Sequence, residues 1–173
     1  MQFKLIKKHE FDFYYSLLEK DFCFEERRLK EDELTALKNK NFKPYFIYDK
    51  NIHIGYFCCW EFEDFIFGEH FAILEEYRNK GFGTVFLKQF LDGLTKPLVF
   101  EIEQPIDEQS KRRKKFYERL NLIFNDYEYY QPSYHKNGNE IPMIFVSYPK
   151  ALTKREFDRV VKIIKREVYN IQD

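Results

Sequence analysis

Cysteine is scarce in this chain. Cys23, Cys58 and Cys59 make an odd count, and two of them are adjacent in an apolar run. They offer neither a disulfide framework nor a metal-ligand spacing, so no metal is expected and a reducing compartment follows. Also missing is any apolar stretch of the roughly 18 residues that a membrane-crossing helix needs. Met1 to Lys8 alternate like a strand and lack the apolar centre of a secretory leader. The expectation is a cytoplasmic protein with no membrane partner. There is no charge surplus either, with 29 basic residues against 29 acidic ones. Bulk nucleic acid demands a positive excess, so it is not expected as a partner. No linker of Pro, Gly and Ser, no repeat and no low-complexity run divides the sequence. One domain over residues 1–173 is the reading.

What is present in quantity is aromatic: 20 Phe and 13 Tyr supply most of the large side chains. Such usage follows base composition as readily as ligand demand, so it is not taken as a ligand signature. Residues 2–7 read as a strand, and 10–39 as two helices, with Phe11, Tyr14, Tyr15 and Leu18 at helical intervals. Residues 44–48 and 52–61 read as a hairpin across Asp49, Lys50 and Asn51. A strand at 65–74 leads into a helix ending near Gly93, with an inner stripe of Leu87, Phe90, Leu91 and Leu94. Then follow a strand at 97–103 and a helix capped by Asp107 and ending near Leu120. Strands at 122–130 and 143–148 flank a loop containing Asn137 and Gly138, and Thr153 caps a last helix. The order is β, α, α, β, β, β, α, β, α, β, β, α. The fold class is α/β: a mixed, mostly antiparallel sheet with a central parallel strand–helix–strand unit, and helices on both faces. The unit at 65–103 should be a right-handed crossover. Its strands are apolar on both faces, as covered central strands are.

The most informative segment runs from Glu69 to Thr84, where a buried strand enters a turn with two glycines at the start of a helix. Free N–H groups and the positive end of the helix dipole suit phosphate oxygens. Gly81 and Gly83 remove Cβ obstruction, and Gly83 lies on the helix stripe, where it permits close packing on the sheet. A plain strand–turn–helix connection fits the same spacing. No Gly-Lys-Ser/Thr follows, and the dinucleotide pattern of glycines is not met.

With Arg78, Gly81 and Gly83 in the pattern Arg/Gln-x-x-Gly-x-Gly/Ala, the segment resembles the pyrophosphate motif of the GNAT acyltransferase family. Residues 98–105 and 115–122 and the element order extend the likeness. The resemblance implies an N-acyltransferase that uses acetyl-CoA or a close relative as cosubstrate and acylates an amine; the oligomeric state, monomer or homodimer, is left open. It implies that backbone amides of Arg78, Asn79, Lys80, Gly81, Phe82, Gly83 and Thr84 hold the coenzyme A pyrophosphate. The strand at Phe71 to Ile73 would pair with the pantetheine arm, and an amide near Ile73 would polarise the thioester carbonyl. Where the family often has Asn two turns before a tyrosine, this chain has Ser110, a further candidate for the pantetheine. Where it often has Gly after that helix there is Asn121, which tolerates the left-handed conformation.

Acyl transfer from a thioester to an amine needs two proton movements. The resemblance puts Tyr117 beside the thioester sulfur, and a phenol titrating near ~10 is protonated and able to donate; the alternative is one more core aromatic. For the base, alternation places Glu69 on a face with Phe67, Phe71 and Ile73, and Glu101 with Glu103 and Val99. Carboxylates on covered central strands need water, a partner or a ligand, so a polar cleft between the two strands is expected. Glu69 is the first candidate for base and Glu101 the second; strand ends that are simply wet are the alternative. By the same alternation His70 points away from Glu69 and reads as structural. His53 and His135 read as surface residues, and Cys58 and Cys59 as small core residues. The basic run 111–115 reads as a solvated helix face or a coenzyme contact. Two rival functions remain, an acyl-CoA-binding sensor without catalysis and a nucleic-acid-binding domain.

Overall fold

The structure is a computed structural model and describes residues 1–136 and 138–171. The chain runs β1 (Gln2–Leu5), α1 (Phe11–Asp21), α2 (Lys30–Ala36), β2 (Phe42–Asp49), β3 (Ile52–Glu61), β4 (Ile66–Ile73), α3 (Phe82–Asp92) and β5 (Leu98–Glu103). It continues with α4 (Glu108–Glu118), β6 (Ile123–Asn125), β7 (Tyr130–Gln131), β8 (Ile141–Tyr148) and α5 (Lys154–Glu167). The sheet order is β1-β2-β3-β4-β5-β8-β6, with β7 paired to β8. Only β4 and β5 pair in parallel among the described strands. Among the described residues no helix is long and apolar enough to cross a membrane.

Local chemistry accounts for the boundaries. Lys50 and Asn51 turn β2 into β3 with φ of 46° and 69°, the two left-handed residues a tight hairpin requires. Asp107 caps α4 by accepting from the Ser110 amide at 2.7 Å. Asn121 follows that helix at φ 57°, the left-handed conformation that asparagine tolerates. Thr153 and Glu156 form a reciprocal capping box at the start of α5.

Two apolar layers sandwich the sheet. On one face Tyr14 and Leu18 of α1 and Phe157, Val160 and Ile164 of α5 pack on Phe46, Tyr56, Trp60, Phe67 and Phe145. On the other, Phe86, Leu87 and Leu91 of α3 and Tyr117 of α4 pack on Ile47, Phe57, Phe100, Ile102 and Val146.

Several expectations need correction. The strand expected at 122–130 breaks after Asn125, whose buried amide donates to the Phe145 carbonyl and the Ser147 hydroxyl while its oxygen accepts from Leu152. Those side-chain bonds tie the chain to the start of the α5 loop, and pairing resumes only at β7. In α3, Phe86 is fully buried and Phe90 only partly so, and Leu94, also partly buried, lies beyond the helix end at Asp92. Asn137 lies outside the described residues.

The most consequential difference lies in β4. Cys58 pairs with His70 but Cys59 with Gly68, so Glu69 is an extra residue, a β-bulge. A bulge breaks the alternation of faces. Glu69 therefore shares the α1/α5 face with Phe67 and with His70, while Phe71 and Ile73 turn to the α3 face. The parallel pairing with β5 also stops there: it covers Ile66 to Gly68 against Leu98 to Phe100 and no further.

Candidate functional site

Beyond Gly68 and Phe100 the two central strands part, and a cavity of about 360 Å³ opens between them. Glu69, His70, Phe71, Ala72 and Ile73 line it from β4, and Glu101, Ile102 and Glu103 from β5. Gln109, Arg113 and Tyr117 reach it from α4, and Asp21 and Phe22 from the end of α1. The Leu74 amide bonds the Ile54 carbonyl on the β3 side. By strand alternation the backbone groups of Phe71 and Ile73 face the opposite edge, towards the cavity, where among the described residues the Ile73 carbonyl alone is taken, by the Arg78 side chain. An extended ligand could pair there.

The turn from Arg78 to Thr84 closes one end. Gly81 is the N-cap of α3 at φ 84°, and Asn79 is also left-handed at φ 61°. The first intrahelical bond is from the Val85 amide to the Gly81 carbonyl. Among the described residues, none of the backbone N–H groups from Asn79 to Thr84 donates to another protein group. Six unpartnered amides at a helix N-terminus can hold an anionic group such as a diphosphate. The Arg78 side chain is engaged elsewhere: Nε donates to the Ile73 carbonyl at 2.8 Å and the guanidinium meets Asp21 at 2.6 Å. It braces the turn against β4 and α1. A Cβ on Gly83 would meet Phe71, Ile73 and Phe116 at ordinary contact distances of 3.6–3.8 Å, so glycine is not needed there for close packing. Gly81 is needed for its left-handed backbone.

A family model described as the acetyltransferase (GNAT) family matches residues 9–122. The chain belongs to that family. No curated protein matches it. Among solved structures, a chain from Bacteroides thetaiotaomicron assigned to the GNAT acetyltransferases superposes with a TM-score of 0.93 at 28% identity, covering 99% of this chain and 100% of that one. Arabidopsis thaliana NAA60 in complex with acetyl-CoA superposes with a TM-score of 0.60 at 11% identity, covering 85% and 97%. A chimera of the Vibrio cholerae spermidine N-acetyltransferase SpeG with hSSAT gives 0.65 at 12%, covering 91% and 99%. The last two are likenesses of fold.

Within this GNAT chain the two candidate bases stand in different environments. Glu69 is saturated. One carboxylate oxygen accepts from Arg28 at 2.5 Å and from Tyr134 at 2.9 Å, and the other from the Trp60 indole at 2.9 Å. Burial alone would raise its pKa, but the Arg28 guanidinium and the other donors outweigh that and hold it below the usual carboxylate range. A carboxylate held that low is a weak proton acceptor. Glu101 lacks a cationic hydrogen-bond partner among the described residues and accepts only from the phenols of Tyr129 and Tyr169, the latter at 2.8 Å. Burial pushes it up to about 7 against the pull of those two donors. A carboxyl with that value can take a proton from a ligand near neutral pH. Glu103 is paired with Arg113.

Tyr117 is buried between Phe100 and Phe116 with its ring at the cavity wall. Burial, partly offset by Arg113, raises its phenol to about 12, so it is a protonated donor. Ser110 does not line the cavity. Its hydroxyl closes the α4 cap, within 2.9–3.1 Å of Asp107 atoms. The sequence pattern could have shown this, because Asp107 and Ser110 stand at capping-box spacing. It could also have shown that Gln109, Arg113 and Tyr117, spaced by four, share the face of α4 that meets the cavity. Arg113 thus separates from the remainder of the basic run.

Cys58 and Cys59 are fully buried on opposite faces, as small core residues. His53 is half-buried beside Phe46 and Phe13 rather than on the surface, and burial lowers its pKa. His135 is half-buried too and stacks on Phe24 at 3.9 Å. His70 is the residue that alternation misplaced: the bulge brings it to the cavity wall beside Glu69.

Proposed function

We propose that this chain transfers an acyl group from acetyl-CoA, or a close relative, to an amine by direct attack in a ternary complex. The observation that carries this reading is the row of unpartnered amides from Asn79 to Thr84 beside the gap between β4 and β5. The cosubstrate supplies the activated acyl thioester. Amides of the turn hold its diphosphate, and the cavity-facing edge at Phe71 and Ile73 pairs with the pantetheine arm. The acetyl-CoA in the Arabidopsis NAA60 complex is in keeping with this assignment.

The amine enters from the α1/α5 face, where Glu101 lies. As the nitrogen–carbon bond forms, one nitrogen-bound proton passes to the Glu101 carboxylate. As the carbon–sulfur bond breaks, the sulfur takes the Tyr117 phenolic proton, and solvent restores both groups. Glu101 displaces Glu69 as base because the Arg28 guanidinium holds Glu69 ionised, whereas Glu101 has only phenol donors and is raised to about 7. Glu69 is then a structural anion. Positioning contributes most of the acceleration, with acid and base each worth on the order of 100-fold or more.

A panel of amines incubated with acetyl-CoA and the protein tests the proposal. Amine-dependent release of free thiol, with the acylated amine seen by mass spectrometry, is the expected result. Tight acetyl-CoA binding without thiol release for any amine would favour the non-catalytic sensor.

A further inference from the structure

Glu101 lines the cavity, and two phenols hold its carboxylate from the α1/α5 layer. Tyr129, just before β7, donates to Oε1, and Tyr169, just past the end of α5, donates to Oε2 at 2.8 Å. The two tyrosines are 4% and 7% exposed, and neither is part of the cavity lining. They can act on an occupant only through Glu101. A glutamate carboxylate turns freely about its stem, and one donor on each oxygen fixes its plane. Each oxygen keeps a second lone pair for an incoming proton.

Tyr169 is placed by the way α5 ends. Its own amide and that of Val168 both reach the Ile164 carbonyl, at 3.3 and 2.9 Å. Asn170 then turns left-handed at φ 56°, and the Ile171 amide returns to the Lys165 carbonyl at 2.9 Å. The Val168 carbonyl, one of the orphan acceptors of a helix end, accepts from Arg28 at 3.0 Å. The end of α5 is therefore tied to the cation that holds Glu69, and the Tyr169 ring packs on Tyr134 at 4.8 Å. Tyr129 is set edge-on against Phe145 at 5.1 Å and Phe157 at 6.2 Å. Both rings are fixed by packing, so their hydroxyls reach Glu101 already oriented. Burial is the largest influence on the Glu101 charge, and the two phenols come next; Glu69 on β4 disfavours that charge and Lys165 on α5 favours it. Nearby, Glu103 is paired with Arg113, and Tyr134 donates to Glu69.

We propose that Tyr129 and Tyr169 are positioning residues for Glu101, fixing its carboxylate so that an open lone pair faces the gap between β4 and β5, and that the turn ending α5 is thereby part of the active site. This rests on the acyl-transfer reading above, with Glu101 as its base. Neither phenol transfers a proton. Each remains an O–H donor while Glu101 takes the proton of the amine and later gives it to solvent.

Three substitutions separate this role from packing. Tyr129→Phe and Tyr169→Phe each delete one bond to Glu101 and keep the ring. Tyr127→Phe deletes a phenol of the same layer, which bonds the Leu152 carbonyl ahead of α5 at 2.9 Å, and leaves the bonds to Glu101 intact. For the wild type and all three, kcat/KM is followed against pH with acetyl-CoA and the best amine of the panel. The Glu101 carboxyl is titrated separately by carbon-13 NMR, without amine. A donor to the ionised form favours it, so its loss raises the pKa. The expected result is that both readouts move up by about one pH unit in Y129F and in Y169F and stay at the wild-type position in Y127F. Above the limb, kcat should fall by about tenfold in Y129F and Y169F from lost orientation, with acetyl-CoA affinity by calorimetry unchanged. Limbs of Y129F and Y169F that coincide with those of the wild type and Y127F would overturn the proposal and leave acyl transfer standing. A carboxyl that titrates higher beside an unmoved kcat/KM limb would show that Glu101 is not the base, and would overturn the role without touching acyl transfer. A wild type that acylates no amine would remove the acyl-transfer reading and this role with it.

Discussion

Arg28 and Glu69 meet at 2.5 Å with side chains 4% and 1% exposed, although 41 residues separate them in the chain. Arg28 also donates to Glu33 at 3.0 Å and to the Val168 carbonyl near the end of α5, and Glu33 accepts from Tyr14 at 2.6 Å. One cation thus joins the α1–α2 region, the β4 bulge and the C-terminal helix. The bulge that brings His70 to the cavity wall is anchored through it. Arg28→Ala would leave two carboxylates buried without their cation, at a cost of about 3–5 kcal/mol. Urea denaturation checks this; a loss below about 1 kcal/mol would mean that the pair is peripheral to the fold.

The two glycines of the turn should behave oppositely. Gly81→Ala puts a Cβ on a residue at φ 84° and should lower stability by roughly 1–2 kcal/mol and weaken acetyl-CoA binding. Gly83→Ala meets only ordinary contacts and should leave both nearly unchanged. Thermal melts and calorimetric titration of the pair decide it, and equal effects would contradict the geometry.

With Glu101 as the proposed base, the reaction should depend on pH. A base held at about 7 is protonated and inactive in acid, so kcat/KM should rise through about pH 7 and level off above it. Glu101→Gln should abolish that limb and slow transfer by about 100-fold. Stability has its own sign. The folded value lies above the ordinary 4.5, so the contribution of this group is present in acid and lost as pH rises from about 4.5 to about 7. Melts of wild type and variant across that window should show the wild type losing ground to E101Q; parallel curves would refute the raised value.

Tyr117→Phe removes only the phenolic hydroxyl from a ring held by Phe100 and Phe116. It should lower kcat by about 100-fold while acetyl-CoA affinity is unchanged. Unaltered turnover would show that another group, or water, protonates the sulfur.

The element order up to α4, the caps at Asp107 and Thr153, the left-handed Asn121 and the turn at Gly81 were legible in the sequence, because each depends on neighbours within a few residues. The bulge at Glu69 was not. It is a property of how β4 registers on β3, and one extra residue reversed the faces inferred for everything after it. Glu69 looked like a base because its partners, Arg28, Trp60 and Tyr134, come from distant segments, and no local pattern announces them. Glu101 was visible as a carboxylate on a covered strand; its preference over Glu69 depends on partners that only the fold assembles.

The central claim is that the turn from Asn79 to Thr84 grips a diphosphate and so sets a thioester in the gap between β4 and β5. Titration of nitrogen-15-labelled protein with coenzyme A, followed by amide shifts, tests it directly. The account predicts saturable binding with the largest shifts at the amides of residues 79–84 and further shifts at Phe71 and Ile73. Binding that leaves those amides unmoved, or no binding at all, would contradict it.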